Sequence, residues 1–210
     1  MIMQLRYGSG GAMEEKIKES GTTVLGLIYK NGVVLASDTQ STATYIESRM
    51  ERKIFPITSH IAVGTAGVVG DLQFLVRLLK VEAKLYRMGN GEITTKALAT
   101  LLSNILHANR LFPFITAMVI GGYDKKRGPQ LFAIDPFGGV GTGEKYFVTG
   151  SGAPLALGVI ESSYREDMSE KEAVELARKA IMTARERDVF SGGKKILIAV
   201  IDEKGYREIE

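Results

Sequence analysis

Residues 21–38 read GTTVLGLIYKNGVVLASD. Positions 22–29 are β-branched and apolar, positions 33–36 are apolar again, and Asn31-Gly32 between them is a strong type I′ turn signal. The stretch predicts a β-hairpin. It also marks a boundary, because nothing before Thr22 has this character.

Upstream, Gly8, Ser9, Gly10 and Gly11 form a flexible stretch, residues 14–19 are mostly charged, and Ser20-Gly21 closes the segment. Residues 1–21 therefore read as a poorly packed leader, although composition alone fits an ordinary ragged terminus equally well. They lack the apolar core, roughly 7–15 residues long, of a secretion signal.

Downstream, residues 61–65 are a further strand candidate. Across 71–88, Leu72, Leu75, Val76, Leu79, Ala83 and Tyr86 keep the helical period, and Leu98, Leu101, Leu102, Ile105 and Ala108 suggest a second helix. Strands are expected at 115–123, 130–134 and 146–148. A third helix opens with the capping box Ser169-x-x-Glu172 and sets Ala173, Ala177, Ala180 and Ala184 along one face. The last strand is expected at 196–201. Strands and helices in groups, without regular alternation or internal repeat, favour an α+β fold: mostly antiparallel sheets with helices on the outer faces.

At 210 residues the chain has room for one well-buried domain and would be cramped as two. Hydrophobic residues are 45% and charged residues 24%, the balance of an ordinary soluble globular protein. The net charge of +3 is too slight and scattered to suggest nucleic acid, and the basic run Lys125-Lys126-Arg127 reads as a solvated turn. Cysteine is absent, which excludes disulfides, thiolate metal sites and a cysteine nucleophile, and fits a reducing cytoplasm. His60 and His107, the two histidines, suit structural roles better than catalytic ones. No apolar stretch approaches the roughly 20 residues that span a bilayer.

Residues 138–145, GGVGTGEK, approach a phosphate-binding loop but place Glu144 where the lysine belongs, and a strand-like segment follows in place of a helix. Nucleotide binding is not expected. A nucleophile–histidine–acid triad is also a poor fit to this composition. Another base can activate a hydroxyl near neutral pH: a free α-amine, whose ordinary pKa of about 8 leaves it partly neutral. A threonine at a mature amino terminus carries nucleophile and base on one residue. Such a protein is made with a leader that is later removed, and a glycine before the threonine tolerates the tight geometry of self-attack.

Gly21-Thr22-Thr23-Val24-Leu25-Gly26 followed by residues 32–38, GVVLASD, resembles the start of an archaeal-type proteasome β subunit. The likeness continues through Arg52-Lys53-Ile54, residues 65–71 (TAGVVGD), Leu101-Leu102-Ser103-Asn104 and Gly121-Gly122-Tyr123-Asp124. It resumes at Thr149-Gly150-Ser151-Gly152 and at residues 187–192, RDVFSG, and covers essentially all of 21–207. The resemblance implies the four-layer αββα sandwich of the amino-terminal-nucleophile hydrolases. It implies a propeptide, residues 1–21, removed by self-cleavage between Gly21 and Thr22, and a catalytic domain from 22 to 210.

Its functional residues carry over as expectations. Thr22 would be the nucleophile, Lys53 the active-site lysine, Asp38 the carboxylate that pairs with it, and Gly67 the donor of an oxyanion-hole N–H. Ser151, Asp188 and Ser191 would orient the terminal threonine and its amine. Ser41, Glu51, Phe55, Thr65, Val69 and Gln73 would surround the substrate residue amino-terminal to the cut. Four of these are apolar or small and favour an apolar side chain, whereas Glu51 would admit a basic one if it points inward. No cofactor or metal is implied. The implied partners are α subunits and other β subunits in stacked heptameric rings, a regulatory ATPase acting through the α rings, and unfolded polypeptide as substrate.

The chain departs from the family at Val24, Gln40, Ala117 and Ala153, and is one residue shorter near Ala43-Thr44. None of these changes removes a catalytic group. A bacterial two-ring peptidase would share the mechanism, but the segment 187–192 fits it less well. An α-type subunit would extend before the first strand as a helix, where this chain has glycines. The remaining rival is a catalytically weak or silent β paralogue, which would be expected to lose Thr22, Lys53 or Asp38.

Overall fold

The computed structural model describes residues 21–42 and 45–209. The opening stretch forms the expected hairpin: β1 (Thr23–Tyr29) pairs antiparallel with β2 (Gly32–Ser37), and Tyr29 faces Gly32. The turn is therefore Lys30-Asn31, one residue earlier than the sequence predicts. Gly32 has a different job. A Cβ there would lie 2.4 Å from the Ile201 carbonyl oxygen, so the glycine opens β2 and lets the neighbouring strand approach.

The chain continues through β3 (Ser41–Thr42), β4 (Ile46–Ser48), β5 (Ile54–Pro56) and β6 (Ile61–Gly67), then helices α1 (Val69–Asn90) and α2 (Thr95–Ala108). Next come β7 (Thr116–Asp124), β8 (Gly128–Ile134), β9 (Val140–Gly141) and β10 (Tyr146–Gly150). Helices α3 (Ala153–Ser163) and α4 (Glu170–Arg187) and strands β11 (Leu197–Asp202) and β12 (Gly205–Ile209) complete it. One sheet has the order β10-β1-β2-β11-β12 and the other β5-β6-β7-β8-β9, with every neighbouring pair antiparallel. The loop 125–127 joins β7 to β8 as an exposed turn, and the glycine-rich segment at 138–145 runs through β9 towards β10, not into a helix.

Three apolar interfaces hold four layers together. Leu25, Leu27, Val34, Ala36, Ile198 and Val200 of the first sheet pack against Ile160 of α3 and Ala177, Ala180, Ile181 and Ala184 of α4. Ile61, Val63, Met118 and Ile120 of the second sheet pack against Leu75 and Leu79 of α1 and Leu98 and Leu102 of α2. Between the sheets lie Val33, Leu35, Ala199 and Ile201 from one side and Ala62, Val119 and Leu131 from the other. Alternate residues of β2 and β11 thus serve opposite interfaces, which is why the runs 33–36 and 197–201 are apolar without alternation. This is the αββα sandwich, an α+β fold.

Helix α4 begins as the sequence predicts: Ser169 and Glu172 form both halves of a capping box, and its four alanines are fully buried, letting the helix lie close to the sheet. Helix α1 buries Leu72, Leu75, Val76, Leu79 and Ala83, but Tyr86, expected on the same face, is 41% exposed. The short helix α3 was not expected. Its apolar residues surround the axis and Pro154 and Gly158 interrupt the pattern, so no amphipathic period is visible in the sequence.

Candidate active site

Antiparallel pairing gathers the strand ends on which the expected residues sit. Thr23 lies opposite Gly150, and Ser37 lies between Val24 and Leu197. The start of β1, the ends of β2 and β10 and the approach to β11 therefore meet at one edge of the sandwich. Thr22 precedes β1, Asp38 follows β2, Ser151 follows β10, and Asp188 and Ser191 lie between α4 and β11. The second sheet contributes Lys53, just before β5, and Gly67, the last residue of β6. Gly150 makes the closure possible: its φ is +96°, and a Cβ there would lie 2.0 Å from the Thr22 carbonyl oxygen.

Asp38 is the hub. Its Oδ1 accepts the Thr22 hydroxyl at 3.0 Å, the Thr23 N–H at 3.0 Å and the Lys53 ammonium at 2.7 Å. Its Oδ2 accepts the N–H groups of Gln40 at 3.1 Å and Gly192 at 2.9 Å. The carboxylate is fully buried, and five donors are what such a group needs to be tolerated there. Lys53, also buried, donates a second bond to the Gln40 carbonyl oxygen at 2.5 Å. Burial pulls the lysine below its ordinary pKa, while Asp38, and less strongly Glu51 and Asp188, act in the opposite direction. Hydroxyl and ammonium thus meet on one carboxylate oxygen. In this arrangement the hydroxyl proton has an acceptor and the negative charge left on oxygen has a cation at hand.

A second group of polar side chains surrounds the Thr22 nitrogen. Its N–H donates to Ser151 Oγ at 3.1 Å, and the Ser151 and Ser191 hydroxyls both donate to Asp188 Oδ2 at 2.6 Å. Asp188 is the C-cap of α4, its N–H bonded to the Ala184 carbonyl oxygen at 2.8 Å. A carboxylate at the negative end of a helix is placed against the helix dipole, with Arg185 and Arg187 of the last turn as the offset. Helix stability therefore does not explain Asp188.

Gly21, Thr22, Lys53 and Gly67 border one cavity, and Gly67 is at φ +136°. The same cavity is lined by Ser41, Glu51, Phe55, Thr65, Val69 and Gln73, the six residues expected around the substrate side chain, and by Gln40, Thr42 and Arg52. Glu51 is half-buried in that wall. His60 bonds to Ser59 Oγ and His107 to the Phe137 carbonyl oxygen, with no bond to the residues above.

Sequence reasoning missed three contributors. Gln40 and Gly192 hold Asp38 and Lys53 through backbone groups, which carry no residue-type signal. Thr23 places its hydroxyl 2.6 Å from Ser191 Oγ, and its position beside Thr22 was the one available clue. One departure from the family acquires a reason: the Gln40 contact to Lys53 is made by the main chain and does not depend on the side chain. The shortened segment at Ala43-Thr44 and the leader up to residue 20 lie outside the described residues.

The family model described as "Proteasome subunit" matches residues 18–201. The chain is 49% identical over 198 residues to proteasome subunit beta 2 of Thermococcus gammatolerans, covering 93% of this chain and 96% of the relative. It is 47% identical over 193 residues to proteasome subunit beta 1 of Pyrococcus furiosus, covering 91% and 97% respectively. Against proteasome subunit beta of Methanocaldococcus jannaschii it is 47% identical over 192 residues, covering 90% and 85%.

Proposed function

The chain belongs to the proteasome subunit family, as a β subunit, and from that premise we propose that it is a threonine endopeptidase with Thr22 as nucleophile. The observation that carries the proposal is the meeting of the Thr22 hydroxyl and the Lys53 ammonium on Asp38 Oδ1, directly after Gly21. A silent paralogue has no reason to keep this trio buried, with Thr22 and Lys53 both bonded to Asp38.

In the precursor, Thr22 Oγ attacks the Gly21 carbonyl carbon, the C–N bond breaks, and the nitrogen takes up a proton to become an amine. Water then hydrolyses the ester, which frees residues 1–21 as a carboxylate and leaves Thr22 with its hydroxyl and a free amine. In peptide hydrolysis that amine takes the hydroxyl proton, the positive Lys53 favours the developing alkoxide, and Ser151 holds the amine in place. An N–H of Gly67 serves the tetrahedral oxyanion, a contribution of roughly 2.7–4 kcal/mol where such a donor has been removed from a hydrolase.

Unfolded polypeptide is the proposed substrate, and stacked rings shared with α subunits and other β subunits are the proposed assembly. The surface supports ring formation. Phe74, Val81, Leu85 and Met88 expose an apolar stripe along α1, at 45%, 54%, 57% and 79%. The test is the intact mass and amino-terminal sequence of particles formed with an α partner. A free amino-terminal threonine at position 22 is expected, together with loss of both processing and peptidase activity in Thr22→Ala. A fully active particle that keeps residues 1–21 would sink the mechanism.

A further inference from the structure

Thr23 is a fully buried polar residue to which the mechanism above gives no task. Its Oγ1 lies 2.6 Å from Ser191 Oγ, and the donor of that bond follows from counting protons. Ser151 and Ser191 have one hydroxyl proton each, and each donates it to Asp188 Oδ2 at 2.6 Å. Ser151 Oγ also lies 3.4 Å from the Thr22 carbonyl oxygen, but one proton cannot serve both, and the short bond to a carboxylate is the stronger. With its proton on Asp188, Ser191 can only accept, so the Thr23 hydroxyl donates. By the same count Ser151 accepts from the Thr22 nitrogen at 3.1 Å.

We propose that Thr23 is a positioning residue for the reaction, acting through Ser191 and Asp188 on the terminal amine. This rests on the reading of Thr22 as nucleophile. Its hydroxyl fixes the direction of a chain that runs from the buried Thr23 and Ser191 to the half-buried Asp188, which Ser151 meets from the exposed side. Because the Ser191 proton cannot turn away, Asp188 stays available to Ser151, and Ser151 stays an acceptor. A free amine on residue 22 then points an N–H at Ser151 and keeps its lone pair for the Thr22 hydroxyl. The packing around Thr23 supports a fixed rotamer. A Cβ on Gly152 would fall 2.1 Å from Thr23 Oγ1 and 3.2 Å from Asp188 Oδ2, so the loop closes on both oxygens.

The test uses full-length chain assembled with its α partner and a fluorogenic peptide. Thr23→Val keeps the shape and removes the donor; it should lower kcat about 5- to 10-fold, the size of one lost buried hydrogen bond, with KM within about twofold. Thr23→Ser should restore kcat to within about threefold. In a Ser191→Ala background, Thr23→Val should cost less than about twofold more, because its route is already cut. A wild-type kcat for Thr23→Val, a Thr23→Ser as slow as Thr23→Val, or independent, multiplying losses with Ser191→Ala would each overturn the proposal. If native mass shows that Thr23→Val does not assemble, Thr23→Ala is read against the same three outcomes. The nucleophile reading fails separately, if Thr22→Ala particles retain activity.

Discussion

Lys53 shows how a single residue can carry opposite pH dependences for stability and for activity. Its burial lowers its pKa below the ordinary 10.5, so between the folded-state value and 10.5 the unfolded chain binds the extra proton. Stability contributed by this group therefore rises with pH through that window, and the cost of burying the charge is fully present below it. Activity that needs the ammonium has the reverse sign and declines as pH passes the folded-state value. We expect an alkaline limb of kcat/KM below pH 10.5, with no loss of assembled particle by native mass across the same range. An alkaline limb that coincides with unfolding would remove the lysine from the explanation. Lys53→Ala should lower turnover of assembled particles by about 100-fold or more, the scale of losing a preorganised charge at the reacting oxygen. Glu51, half-buried in the cavity wall, gives a milder expectation. Glu51→Gln should reduce cleavage after Arg and Lys relative to cleavage after Leu, and an unchanged ratio would leave the pocket's preference to its small and apolar residues. The acidic and basic members of this site were legible in the sequence through the family resemblance alone; by themselves Asp38 and Lys53 read as an ordinary surface pair and Asp188 as a residue at a helix end. Thr23, Gln40 and Gly192 were not, because their contributions depend on which backbone groups and which hydroxyl protons the fold brings together.

Among the elements, those with their own local signals were legible and those that depend on the sheet were not. Helix α4 has a capping box and a row of alanines, and both are present as expected. Strands β3, β4, β5, β9 and β12 are two to five residues long and exist because a neighbour pairs with them, so no periodicity could announce them. The hairpin turn was displaced by one residue for a related reason: Asn31-Gly32 favours a turn locally, but Gly32 is taken into β2 by its approach to Ile201. Helix α4 also separates stability from chemistry along its own axis. Its N-cap Ser169 lies at one end and Asp188 at the other, with the 18-residue helix between them, or roughly 28 Å. Ser169→Ala should lower the melting temperature of the unassembled chain by roughly 2–4 °C through loss of the cap. Turnover per assembled particle should stay within about twofold, as expected for a site too distant to couple. A large loss of turnover would mean that α4 transmits strain to Asp188, and that helix end and active site are one cooperative unit.

At the scale of the whole molecule, the site is drawn from segments far apart in sequence and from both sheets: the start of β1, the end of β2, the approach to β5, the turn after β10 and the end of α4. Self-cleavage needs Thr22 Oγ at near-attack distance from the Gly21 carbonyl carbon, roughly 3–3.5 Å, so small displacements cost large factors in rate. The segment at 188–193 is anchored largely by polar bonds, with Phe190 half-buried against Gly21. Val189 is 79% exposed, and the bonds of Ser191 and Gly192 to Asp188 and Asp38 are polar. Local stability of this kind is low in an isolated chain and rises when a neighbour packs beside it. We therefore expect the isolated chain to remain largely uncut and docking onto an α ring to trigger release of residues 1–21, which ties the appearance of the nucleophile to its enclosure. The apolar stripe on α1 gives a way to break the coupling without touching the site. Val81→Glu combined with Leu85→Glu places two charges on exposed positions, at 54% and 57%, and should block assembly and processing together. Native mass, gel mobility and peptidase assays on the purified chain, alone and mixed with its α subunit, decide the matter. Complete and rapid processing of the isolated chain, or of the doubly charged variant that stays monomeric, would show that the site is already formed in one subunit and that assembly is not the switch.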